Sequence, residues 1–147
     1  MEECIEEFKY KDLKECIYLF IDAFKSEPWN DKWDFNTAFK RLEDIYYTPK
    51  FNGLVYKIDN KIVGVIMGNY EQWYEGMYYN LKEFFVDKTI QGRGIGSKMI
   101  DILERELKER GIKSIQLLTI KNHKTEGFYM NNGYKSQKYI INMSKNI

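Results

Sequence analysis

Val86-Asp87-Lys88-Thr89-Ile90-Gln91-Gly92-Arg93-Gly94-Ile95-Gly96-Ser97-Lys98 is the stretch whose reading decides the fold. It lies between a β-rich segment and a long amphipathic one, and it spaces three glycines over five positions. Lacking Cβ atoms, Gly92, Gly94 and Gly96 let a ligand approach the backbone and expose its N–H groups. The start of a helix adds unpaired N–H donors and a partial positive charge, so a phosphate or pyrophosphate is the expected guest. Arg93 and Lys98 add formal charge. Two common phosphate motifs do not fit. A P-loop needs G-x-x-x-x-G-K-[ST], whereas here Ser97 precedes Lys98. A dinucleotide loop needs G-x-G-x-x-G early in the chain, whereas Gly92-x-Gly94-x-Gly96 falls late.

Outward from this loop the chain alternates between two periodicities. On the N-terminal side, residues 77–86 read as a strand. Before them, residues 53–58 and 61–67 form a hairpin around the turn pair Asp59-Asn60. Residues 70–76 read as a polar, aromatic connection. Further back, Leu13, Ile17, Phe20 and Phe24 recur at helical spacing over 11–25, and Phe35, Ala38, Phe39, Leu42 and Ile45 over 34–46. Residues 4–10 are a first strand. On the C-terminal side, Ile95, Met99, Leu103 and Leu107 stripe a helix that begins in the 90–111 segment and stops at Gly111. Asp101/Arg105, Glu104/Lys108 and Glu106/Arg110 are i,i+4 pairs with the acid first. A strand over 114–119, a helix over 123–131 and a β segment from Tyr134 complete the order β-α-α-β-β-β-α-β-α-β. That is one α/β domain spanning 1–147.

Composition narrows the function. At 147 residues, with 44% hydrophobic and 31% charged side chains, the chain suits one folded domain. No apolar run is long enough for a membrane span. The start MEECIEEFKY has no apolar signal core, so a cytoplasmic location is expected. Cys4, Cys16 and the lone His123 offer no metal-ligand spacing, so no metal is expected. Residues 1–50 carry 12 acids and 8 bases, a net of −4; residues 51–147 carry 10 and 15, a net of +5. That split argues against a nucleic-acid partner and for an anion held by the C-terminal part and a cation met by the N-terminal part.

Three motifs in order carry a family resemblance. Gln91-Gly92-Arg93-Gly94-Ile95-Gly96 matches Q/R-x-x-G-x-G/A. Asn122-x-x-Thr125-x-x-Phe128-Tyr129-x-x-x-Gly133-Tyr134 matches N-x-x-A-x-x-F/L-Y-x-x-x-G-F/Y, with threonine where alanine is usual. Glu83-Phe84-Phe85-Val86 matches an E-x-F-V strand. Together they resemble the GNAT superfamily of N-acetyltransferases. The resemblance implies a mixed, mostly antiparallel sheet with a splayed cofactor wedge, and acetyl-CoA as cofactor. The pantetheine arm would lie against Phe84, Phe85 and Val86. The backbone of Gln91, Gly92, Arg93, Gly94, Ile95, Gly96 and Ser97 would hold the pyrophosphate. Asn122 would meet pantetheine amides or cap its helix, and Tyr129 would be the general acid for the CoA thiolate.

Transfer to an amine also needs a base, because a primary amine with a pKa of about 10 is ammonium at neutral pH. Glu83 stands in an otherwise aromatic and aliphatic strand, on the face of Leu81 and Phe85 under strict alternation, where burial raises its pKa. His123 is the second candidate, and the N–H of Phe85 or Val86 is placed to polarise the thioester carbonyl. Neither cysteine lies in the motif region, so direct attack is expected rather than an acyl-enzyme. By the same resemblance the acceptor site draws on 26–34, 69–76 and 134–141. Glu27, Trp29, Asp31, Trp33, Glu71, Trp73 and Tyr74 supply carboxylates among aromatic faces, suited to a cation. A small-molecule amine, loosely of the aminoglycoside 6′-N-acetyltransferase-like kind, a polyamine or a metabolite amine is the expected partner. A peptide lysine or N-terminus, or a non-catalytic acyl-CoA sensor, is the alternative. Only 14 residues follow Gly133, which leaves room for one strand of its own or for a partner subunit in a homodimer.

Overall fold

A computed structural model describes residues 1–147. Its elements are β1 (Glu3–Glu7), α1 (Asp12–Phe24), α2 (Phe35–Tyr46), β2 (Phe51–Ile58), β3 (Lys61–Trp73), β4 (Gly76–Val86), a 3-10 turn (Lys88–Ile90), α3 (Ile95–Glu109), β5 (Ser114–Leu117) and α4 (Thr125–Asn131). One sheet runs in the order β1-β2-β3-β4-β5. Its first three pairings are antiparallel, and β4 pairs with β5 in parallel. The expected mixed, mostly antiparallel α/β domain is what forms. No helix is long and apolar enough to cross a membrane.

Two apolar layers sandwich the sheet. α1 and α2 bury Leu13, Ile17, Phe20, Ala38, Leu42 and Ile45 against Val55, Val65, Met67 and Phe85. α3 buries Met99, Leu103 and Leu107 against Tyr56, Ile66, Tyr79 and Leu81 on the opposite face. All three helices show the spacing that gathers apolar side chains on one stripe. α2 starts on a capping box, with the Asp34 carboxylate accepting from Thr37 N at 2.8 Å and Thr37 Oγ1 accepting from Asp34 N at 3.1 Å. The β2–β3 turn uses Asp59 and Asn60 at φ 49° and 67°, as a two-residue hairpin turn requires.

Four readings of the sequence are corrected. Residues 70–73 are strand rather than connection: β3 and β4 pair on to Trp73 and Gly76, forming a ribbon that outruns the core. The segment after Tyr134 forms no strand, because nothing pairs with it. None of the three i,i+4 pairs on α3 closes to an ion pair; Arg110 instead lies over the Tyr70 ring. Strict alternation in β4 fails as well. Met67 is opposite Glu83 and Gly68 is opposite Leu81, so Lys82 is the extra residue of a β-bulge. Leu81 therefore packs on the α3 side while Phe85 packs on the α1/α2 side. Glu83 shares the face of Phe85 but not that of Leu81.

Candidate active site

The site begins where β4 and β5 part. Their pairing stops at Leu81 and Leu117, and β4 runs on alone to Val86. Asp87 N donates to Val63 O at 2.8 Å, so alternation aims the amides of Phe85 and Glu83 at β3. The amides of Phe84 and Val86 then face the open side. Val86 rather than Phe85 thus has the free N–H for a carbonyl. The Val86 carbonyl already accepts from the Gln91 side chain at 2.9 Å. Gln91 therefore ties the loop to the strand end instead of reaching for a ligand.

Past this tie, Gly92 takes φ 84°, and Gly94 takes φ 77° as the left-handed N-cap of α3. No side chain caps α3, and a Cβ at Gly94 would meet no atom within 4 Å. The first amides of a 15-residue helix are thus bare beside open space. Gly96 is needed for contact: a Cβ there would come within 3.2 Å of Phe128 and 3.6 Å of Phe84. Such a cradle fits a pyrophosphate. Lys98, read as a source of charge for it, turns away. Its Nζ lies 3.5 Å from the Glu3 carboxylate and over the Tyr56 ring. Arg93 has no ion-pair partner, stays exposed and remains the loop's free cation.

A cleft of about 710 Å³ joins this cradle to the parted strands and to the α1–α2 loop. Leu81–Val86, Gln91, Gly92, Gly94–Ser97, Leu117–Ile120, Phe128 and Tyr129 line it, and so do Trp29, Asp31, Trp33 and Arg41. Trp33 packs on Phe20 with ring centroids 5.1 Å apart, and Trp29 on Phe24 at 5.0 Å; both phenylalanines pack on Phe85. Trp33 Nε1 donates to Asp31 Oδ2 at 3.1 Å. The loop is thereby wedged over β4, with a carboxylate at the rim.

Glu83 and Tyr129 face this cleft from β4 and α4. Burial pushes the Glu83 carboxyl above its ordinary range, against the opposing pull of Arg41. The sequence reading missed Arg41, whose Nε and Nη2 lie 3.1 and 3.0 Å from Glu83 Oε2. Nothing near it in sequence signals the pairing, since 42 residues separate the partners. Tyr129 is held above the usual tyrosine range, by burial first and then by the Glu83 charge. It therefore keeps its proton at neutral pH.

Other expected site residues lie elsewhere. Asn122 Oδ1 accepts from Lys124 N at 2.8 Å, so its side chain shapes the turn into α4. Thr125, at the family's alanine position, is buried and donates from Oγ1 to Ile120 O at 2.6 Å. His123 is exposed and lines neither large cleft. Glu27 is exposed outside the cleft. Trp73 stacks on Tyr78 near the end of the β3–β4 ribbon, and Tyr74 beside it is 93% exposed; neither lines the cleft. Glu71 accepts from Asn80 and lines a second cleft, of about 1100 Å³, along the outer edge of β5. Burial pushes the Cys16 thiol up to about 12, which leaves it no thiolate for nucleophilic work.

Residues 11–134 match the acetyltransferase (GNAT) family, and the chain belongs to it. Enzymes of this family draw their acetyl group from acetyl-CoA. An acetyltransferase of Sodalis glossinidius is 28% identical over 145 residues, which are 97% of this chain and 94% of that one. A possible acetyltransferase from Clostridium difficile superposes with a TM-score of 0.84 at 20% identity, over 100% of this chain and 99% of that one. An aminoglycoside N-acetyltransferase, AAC(6′)-Iy, in complex with CoA superposes with a TM-score of 0.75 at 13% identity, over 99% and 96%. At these identities the two solved structures speak for the fold.

Proposed function

We propose that this enzyme moves acetyl directly from acetyl-CoA to the primary amine of a small acceptor, with Glu83 as base and Tyr129 as acid. One observation carries the proposal: a buried carboxylate and a protonated phenol share one cleft at the parting of β4 and β5, and the charge of the first acts on the second. Bound acetyl-CoA supplies a thioester whose acetyl carbon is open to attack. The exposed amides of the α3 N-terminus hold the pyrophosphate, and the free backbone of Phe84 and Val86 receives the pantetheine. Glu83 takes one proton from the acceptor's ammonium. The freed lone pair forms the C–N bond as the C–S bond breaks with its electrons on sulfur. Tyr129 donates its hydroxyl proton to that sulfur and regains one as the new amide nitrogen loses its second. The Glu83 proton passes to solvent.

Trp29, Asp31 and Trp33 form the acceptor wall, and a cationic, partly apolar amine suits an acid set between two indoles. A thiol-release assay with acetyl-CoA and a panel of amines tests this reading. Polyamines, amino sugars and metabolite amines should give turnover, and no release with any amine overturns it. A peptide acceptor is the second reading. The larger cleft follows the unpaired edge of β5 and shares Arg41, Lys82 and Tyr129 with the first, a geometry that suits an extended backbone. A peptide arm in the panel separates the two. The proposal includes a reducing, intracellular setting, consistent with free thiols at Cys4 and Cys16. It also includes a homodimer that covers the exposed Tyr139, Ile141 and Met143; light scattering tests this.

A further inference from the structure

Arg41 projects from α2 beside the buried stripe of Ala38, Leu42 and Ile45, so its backbone is anchored by the core. The bulge at Lys82 turns Glu83 toward that helix. Both guanidinium contacts, 3.1 and 3.0 Å, converge on the same oxygen, Oε2. Oε1 makes no hydrogen bond. The groups around this carboxylate are Arg41 from α2, Asp31 from the α1–α2 loop, Tyr129 from α4 and the uncharged Met67 from β3. Only Arg41 among them is a cation.

We propose that Arg41 is the positioning residue for the acetyl transfer. By holding Oε2 of Glu83, it presents Oε1 to the cleft as the atom that takes the amine's proton. The proposal rests on Glu83 being the base.

Stability alone does not account for the pair. Desolvating two charges offsets most of their attraction, so such a pair is weak evidence of a stabilising role. The Glu83 side chain is 13% exposed and that of Arg41 41%, so Glu83 bears most of the burial. A carboxyl this buried and left alone would favour its neutral form, which cannot accept a proton. The cation opposes that tendency, and the planar guanidinium also fixes the direction of the carboxylate, which a point charge does not. Charge and geometry are thus two separable contributions of one side chain.

The test is the pH profile of kcat/KM for the whole enzyme with acetyl-CoA and its best amine. Arg41→Met, Arg41→Lys and Glu83→Gln are compared, and acetyl-CoA affinity serves as the check on folding. Arg41→Met should move the acid limb up by about one pH unit, the low end for an opposing charge because Arg41 is partly exposed. Its alkaline plateau should stay below wild type. Arg41→Lys should return the limb to its place while leaving the plateau low, since it restores charge without the fork. A limb and plateau unmoved in Arg41→Met, beside a limb lost in Glu83→Gln, overturns the role of Arg41 and spares the base. In Arg41→Met, a uniform loss at every pH with the limb in place marks a merely structural tie and also overturns it. A limb that survives Glu83→Gln removes the base itself, and this inference with it. Should Arg41→Met fail to bind acetyl-CoA, the limb and plateau of Arg41→Lys alone decide: both equal to wild type overturns the proposal.

Discussion

The two halves of the cleft are built from different materials. On the proposed donor side the working parts are backbone: bare amides at the start of α3, a left-handed Gly94 and the unpaired amides of Phe84 and Val86. On the proposed acceptor side they are side chains: Trp29, Trp33, Asp31 and the Arg41–Glu83 pair. Backbone parts depend on a glycine at one place and tolerate change around it. Side-chain parts can be exchanged singly, each with its own effect on the acceptor. The donor side should therefore fail abruptly and the acceptor side by degrees.

The largest expected effect is at the junction of the halves. Tyr129→Phe should lower kcat by about 10²–10⁴-fold at saturating substrates, with acetyl-CoA affinity little changed, as steady-state kinetics and calorimetry would show. An unaltered kcat would assign the acid to another group. Because burial and Glu83 hold the tyrosine proton on, wild-type kcat should show no alkaline loss from Tyr129 below about pH 10. Gly94→Asp comes next. It puts a side chain at φ 77° and a negative charge beside the pyrophosphate, so acetyl-CoA should bind at least about tenfold more weakly, a loss of about 1.4 kcal/mol. Full affinity would place the pyrophosphate elsewhere.

The acceptor side should respond more gently. Asp31→Asn should raise the KM for a cationic amine by less than about fivefold, an effect that fades at high salt because the carboxylate is exposed. Trp73→Ala and Tyr74→Ala, at the far end of the ribbon, should change neither KM nor kcat. A KM effect there as large as that of Asp31→Asn would move the acceptor out along the ribbon. The smallest effect concerns stability alone. Thr125→Val removes the bond to the Ile120 carbonyl and should cost about 1 kcal/mol, a fall in Tm of a few degrees in a thermal melt, with kcat preserved.

The same division explains what the sequence revealed. Glycine spacing, hairpin turns and helical stripes are local, so the loop, the helices and the β2–β3 hairpin could be read along the chain. Glu83 and Tyr129, the base and acid proposed above, could be singled out because each lies within a short motif. Arg41 could not, since its value depends on a strand 42 positions away and on a bulge that alternation does not foresee. The tryptophans were legible as a pair of clusters but not as a site. Trp29 and Trp33 reach the cleft because the loop folds onto Phe20 and Phe24, whereas Trp73 rides a two-stranded extension with no core beneath it. Strand propensity in Tyr139-Ile140-Ile141 likewise yields no strand, although the outer edge of β5 is left unpaired beside it.

The end of β4 that follows the bulge has a consequence for how such an enzyme can diversify. With Lys82 in place, Glu83 looks toward α2 and the neighbouring Phe84 toward α3. Under the proposed roles, recognition of the common donor and the chemistry that meets a variable acceptor lie on opposite faces of a single ribbon of backbone. On that reading, mutations accumulating in α2 and in the loop before it would explore new acceptors while the face proposed to hold the nucleotide goes unedited. Deleting Lys82 would leave Leu81 opposite Gly68 and Glu83 opposite Met67 in regular alternation, so the carboxylate would keep its face and lose only the local bend of the bulge. The separation of faces therefore rests on plain alternation along Glu83-Phe84-Phe85, which any change on one side leaves in place on the other.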